Sequence, residues 1–62
     1  MQTSKLSHRD RMFLIRCSRD GTVVMTLQCR NKNTARQLSS LWNSGYTQGQ
    51  MAEYMKENGL RI

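Results

Sequence analysis

The residues that could do covalent chemistry are few in this 62-residue chain. Ser7, His8 and Asp10 lie close together, but in a polar stretch with no apolar pattern to hold them in a catalytic geometry. Asp10, Asp20, Glu53 and Glu57 are scattered, and Gly21, Gly45, Gly49 and Gly59 form no phosphate-cradling loop. Cys17 and Cys29 make no CxxC pair, and His8 is the lone histidine. A structural zinc site takes about four ligands, more than this set offers at useful spacing. The thiols read as small core residues of a protein from a reducing cytoplasm. The expectation is therefore a binding protein and not an enzyme, with no cofactor and no metal.

Charge is the stronger signal. The formal net charge is +6. Residues 1–36 carry Lys5, Arg9, Arg11, Arg16, Arg19, Arg30, Lys32 and Arg36 against Asp10 and Asp20, so the whole excess lies there. Lys56 and Arg61 balance Glu53 and Glu57 in the remainder. A one-sided basic field captures polyanions, and nucleic acid is the leading partner, DNA before RNA. Thr26, Gln28 and Arg30 add side chains that can hydrogen-bond base edges. The candidate nucleic-acid-binding set is Lys5, Arg9, Arg11, Arg16, Thr26, Gln28, Arg30, Lys32 and Arg36.

These residues need elements to position them. Residues 1–10 read as a flexible basic arm, and residues 11–62 as one small domain. Residues 11–18 and 22–30 alternate as strands around Asp20-Gly21, a strong hairpin turn. A two-residue loop would place Phe13 opposite Gln28 and mix the faces. A three-residue loop with Gly21 in a left-handed bulge places Phe13 opposite Leu27, Ile15 opposite Met25 and Cys17 opposite Val23, and is preferred because it sorts them. The inner face is then Phe13, Ile15, Cys17, Val23, Met25, Leu27 and Cys29. The outer face is Met12, Leu14, Arg16, Ser18, Val24, Thr26, Gln28 and Arg30. This register sets Cys17 and Cys29 about 20 Å apart, too far for a disulfide.

Residues 32–44 read as a helix capped by Asn31 or Asn33, with Ala35, Leu38, Leu41 and Trp42 as its apolar stripe and Gly45 as its stop. Residues 48–58 read as a second helix. Thr47 and Gln50 form its capping box, Tyr46 can staple Met51, Met51, Ala52 and Met55 face inward, and Leu60 can fold back on Met55. The expected fold is α+β, a two-stranded antiparallel β-hairpin packed against two short α-helices. No apolar run is long enough to span a bilayer, so no membrane partner is expected.

Two stretches look like known families. Gly45-Tyr-Thr-Gln-Gly-Gln-Met-Ala-Glu-Tyr-Met-Lys-Glu-Asn-Gly59 is similar to part of a helix-turn-helix, which would imply a following recognition helix. Residues 24–62, as strand, helix, glycine turn and helix, resemble the ribbon-helix-helix (Arc-like) repressors. That resemblance implies a dimer whose paired strands read the major groove, with Met25, Leu27 and Cys29 as core and Thr26, Gln28 and Arg30 as readers. The reading is a small DNA-binding regulator, of a size suited to a phage or mobile element. The rival is a protein-binding modulator that docks on a larger host complex through exposed Met12, Leu14 and Val24. RNA binding is a third option, but no row of exposed aromatics is foreseen for it. Apolar residues are only 37% of the chain, which favours a homodimer that supplements a small core.

Overall fold

A computed structural model describes residues 1–59. The chain forms three strands and then two helices: β1 (Gln2–Arg9), β2 (Met12–Arg19), β3 (Thr22–Cys29), α1 (Lys32–Asn43) and α2 (Gln48–Glu57). The strands make one antiparallel sheet in the order β1-β2-β3. The α+β class agrees with expectation, but the sheet has three strands where a two-stranded hairpin was expected. Residues 2–9 form β1, paired along its length with β2 from Gln2↔Arg19 to Arg9↔Met12, and not a flexible arm.

The β2–β3 register also differs from the preferred three-residue loop. The turn is the two-residue Asp20-Gly21, with Arg19 opposite Thr22 and Ser18 opposite Val23. Both turn residues have positive φ, 53° and 84°, as a hairpin of this length requires. The ladder then shifts between Cys17 and Ser18, so Val24 is an extra residue and Cys17 faces Met25. Beyond this bulge Ile15 faces Leu27 and Phe13 faces Cys29. The faces stay sorted because the bulge corrects the parity that the expected loop was meant to correct. Val23, expected inside, pairs with Ser18 on the outer face and is 53% exposed. Cys17 and Cys29 are both free. Their offset is four residues along the hairpin, about 13 Å and shorter than expected, but still beyond disulfide reach.

One face of the sheet is covered. Ile15, Cys17, Leu27 and Cys29 meet Ala35, Leu38 and Trp42 of α1 and Met51 and Met55 of α2 in the buried core. Asn31 caps α1, its Oδ1 accepting from the backbone N–H of Asn33 (2.8 Å) and Thr34 (3.2 Å). The helix ends in a Schellman arrangement: Gly45, at φ 111°, donates to the Trp42 carbonyl and Tyr46 donates to that of Leu41. The capping box of α2 forms as expected, with Gln50 N–H donating to Thr47 Oγ1 and Thr47 N–H to Gln50 Oε1. The expected contact of Leu60 on Met55 lies outside the described residues.

β1 is held by polar docking, because its helix-side residues are Gln2, Ser4, Leu6 and His8. The Gln2 amide donates to the carbonyls of Trp42 (2.8 Å) and Tyr46 (2.9 Å), tying the strand to the end of α1. Ser4 Oγ bonds the Ser39 hydroxyl and donates to Asn43 Oδ1. His8 stacks on Phe13 with ring centroids 4.4 Å apart. Trp42 donates its indole N–H to the Ser18 carbonyl (3.0 Å), and the Arg19 guanidinium sits over its ring.

Two outcomes follow. Gln2→Ala should cost about 1–3 kcal/mol, because it removes both bonds that tie β1 to the α1–α2 junction and takes the side-chain donor from the Tyr46 carbonyl, and a urea melt measures the loss. A free arm would leave that melt unchanged. Arg11 holds φ 63° at the second position of the β1–β2 turn. Arg11→Gly should therefore raise stability by about 0.5–1 kcal/mol, since the relief of left-handed strain exceeds the added chain entropy.

Candidate nucleic-acid interface

The bulge and the alternation of the strands decide which side chains face away from the helices. On β1 these are Thr3, Lys5, Ser7 and Arg9, and all four are exposed. The register sets Lys5 beside Arg16 and Arg16 beside Thr26 in one row across the sheet. Ser7, Leu14 and Gln28 form the neighbouring row. Arg9 pairs with Met12 at the end of the sheet where Asp10 and Arg11 turn the chain and where Arg30 follows β3.

Of the residues expected to bind nucleic acid, the fold therefore gathers Lys5, Arg9, Arg16, Thr26 and Gln28 on one open face. Arg11 and Arg30 stand at its end. Lys32 and Arg36 are elsewhere. Lys32 opens α1. Arg36 lines a shallow groove of about 430 Å³ between α1 and β1, with Ser4, Leu6, Ser39, Ser40 and Asn43. Arg19 is also kept off the open face by its place over Trp42.

Among the described residues, no carboxylate belongs to the open face. Asp10 and Asp20 sit in the two turns at opposite ends of β2, and Glu53 and Glu57 are on α2. Asp20 is further neutralised by the Met1 ammonium, 2.6 Å from its Oδ1, whose hydrogen bond and charge hold the carboxyl below its usual range. Asp10 lies 3.8 Å from Arg9 in an exposed, weakly coupled pair. The apolar members are half-buried Met12 and Leu14 and, at the opposite end, exposed Val23.

Ser7 and Thr3 were missed as members of this surface. The signal was the alternation Thr3-Lys5-Ser7-Arg9, which contains no apolar residue and so does not read as a half-buried strand. Among the described residues, no group of three or more His, Cys, Asp and Glu side chains could hold a metal. No described helix is long and apolar enough to cross a membrane. No protein-family model matches the chain, and no curated protein or solved structure is significantly similar to it.

The thiols lie on the covered face, and burial pushes both Cys17 and Cys29 above the ordinary thiol range. They should stay protonated at neutral pH and alkylate far more slowly in native protein than in denaturant, as a mass-spectrometric time course with iodoacetamide would record. Rapid native labelling of both would contradict this packing.

Proposed function

We propose that this chain is a small DNA-binding regulatory protein whose contact surface is the open face of the β-sheet. The observation that carries the reading is the gathering of Lys5, Arg9 and Arg16 on a face to which no carboxylate among the described residues belongs, with Arg11, Arg30 and the single acid Asp10 at its end. Such a surface meets the phosphate backbone with little desolvated negative charge of its own, and releases counterions when it binds. Thr26 and Gln28 lie beside these cations, so hydrogen-bonding side chains for base edges and cations for phosphates share one plane. Lys32 and Arg36 lie in the helix layer and contribute through the long-range field.

A second reading keeps one specific observation. Val23 and Val24 are 53% and 36% exposed and adjacent at the β3 edge of the sheet. That apolar pair suits a protein partner, and a partner retained after nuclease treatment would favour it. The homodimer expected from the small core is a separate proposal, read from light scattering and from a melting temperature that rises with protein concentration. The ribbon-helix-helix likeness would require that dimer to pair through the outer edge of β3.

The test is a salt titration of DNA affinity. The double variant Arg16→Ala, Arg30→Ala should weaken binding and flatten the dependence of log affinity on log salt by about one unit or more. Lys56→Ala, on α2 in the opposite layer, should change neither. Equal losses from Lys56→Ala and the arginine pair would overturn the assignment of this face.

A further inference from the structure

The width of the open face and the chemistry of its two central rows restrict the ligand further. We propose that this face enters the major groove of duplex DNA, where Arg16 and Gln28 read purine edges while Lys5, Arg9 and Arg30 hold flanking phosphates. The inference rests on the nucleic-acid reading above and narrows it to one form of nucleic acid and one groove.

The aromatic rings lie away from the open face. Trp42 is buried, and Phe13, Tyr46 and Tyr54 pack against the core on the helix side. His8 is engaged with Phe13 on that side too. The open face thus offers no ring on which an unpaired base could stack, and stacking supplies much of the affinity for single strands. A duplex keeps its bases stacked on one another and requires none.

Width separates the grooves. At the ordinary spacing of strands, the axes of β1 and β3 lie about 10 Å apart. The minor groove of B-form DNA, about 6 Å wide, is narrower than this separation, whereas the major groove, about 12 Å wide, is the one whose base edges side chains on β-strands can reach. The major groove of an RNA duplex is too deep and narrow for side chains to read.

The side chains also follow a definite order across the sheet. The row Lys5, Arg16, Thr26 places a guanidinium at its centre, and the row Ser7, Leu14, Gln28 ends in a carboxamide. A guanidinium fork matches the O6 and N7 acceptors of guanine, and a carboxamide matches the donor and acceptor of adenine N6 and N7. Leu14 lies between Ser7 and Gln28, and its methyl groups, like that of Thr26, suit the methyl of thymine. An apolar residue in the middle of a basic face is thereby given a contact. The surrounding cations, Lys5 and Arg9 on β1 and Arg30 beyond the end of β3, flank these rows and would meet the phosphates.

The experiment uses the full chain and a labelled duplex enriched from a random DNA library, followed by fluorescence anisotropy. The duplex should outcompete its own single strands and an RNA duplex at least about tenfold. Replacing its purines with 7-deaza analogues, which deletes the N7 acceptor in the major groove, should weaken binding about tenfold or more, whereas a minor-groove ligand such as netropsin should not displace the protein. Gln28→Ala should lose selection for adenine, and Arg16→Ala selection for guanine, each by about tenfold or more. Lys5→Ala should weaken all duplexes alike. If single strands or RNA compete equally, if 7-deaza substitution has no effect, or if netropsin displaces the protein, the groove assignment is overturned while nucleic-acid binding stands. If no DNA or RNA binds, both readings fall.

Discussion

A strand puts alternate side chains on opposite faces, and a two-residue turn joins its partner in fixed parity. In β2 and β3 these two requirements conflict. With Arg19 opposite Thr22, an unbroken ladder would set Ile15 against Thr26 and Phe13 against Gln28, and each face would mix apolar with polar residues. One extra residue, Val24, removes the conflict. Everything beyond it then follows: Cys17, Ile15, Met25, Leu27 and Cys29 turn toward the helices, and Arg16, Thr26 and Gln28 turn away. The bulge also anchors the second helix, because the Val24 carbonyl accepts from the amide of Gln48, the first residue of α2. A single backbone irregularity thus separates the core from the basic face and ties α2 to the β3 edge.

The elements that advertise themselves by pattern were legible. Strands β2 and β3 alternate around Asp20-Gly21, α1 repeats Ala35, Leu38 and Trp42 on one side, and Thr47 and Gln50 announce the start of α2. β1 was not legible, for a physical reason. Its inward residues are Gln2, Ser4, Leu6 and His8, so its attachment is made with hydrogen bonds to Trp42, Tyr46, Ser39 and Asn43 and with one ring stack, and not with apolar burial. Hydropathy alternation cannot detect a strand whose partner groups are carbonyls and hydroxyls forty residues away. The Asp10-Arg11 turn is equally hidden, since both residues take positive φ without a glycine to mark it. The bulge escaped for a related reason: loop length and bulge position are alternative solutions to the same parity problem, and composition does not choose between them.

The basic surface was legible in content but not in geometry. Charge placement singled out Lys5, Arg9, Arg16 and Arg30, and residue chemistry added Thr26 and Gln28. Only the third strand brings Lys5 and Arg9 into one plane with the others, converting a presumed tether into a third of the surface. The same packing removes Arg36 to the groove beside β1 and Arg19 to the ring of Trp42. The cations therefore divide between the two layers, a distinction that linear charge density does not contain.

The central claim is that the sheet's open face, and not the helix layer, meets nucleic acid. Backbone amide shifts of the isotopically labelled full chain, followed while duplex DNA is added, test it most directly. The account predicts the largest changes along Lys5–Arg9, Leu14–Arg16 and Thr26–Arg30, with the amides of Glu53 to Glu57 nearly unmoved. Changes concentrated on α2, or along the Arg36 groove with the sheet amides unmoved, would contradict it.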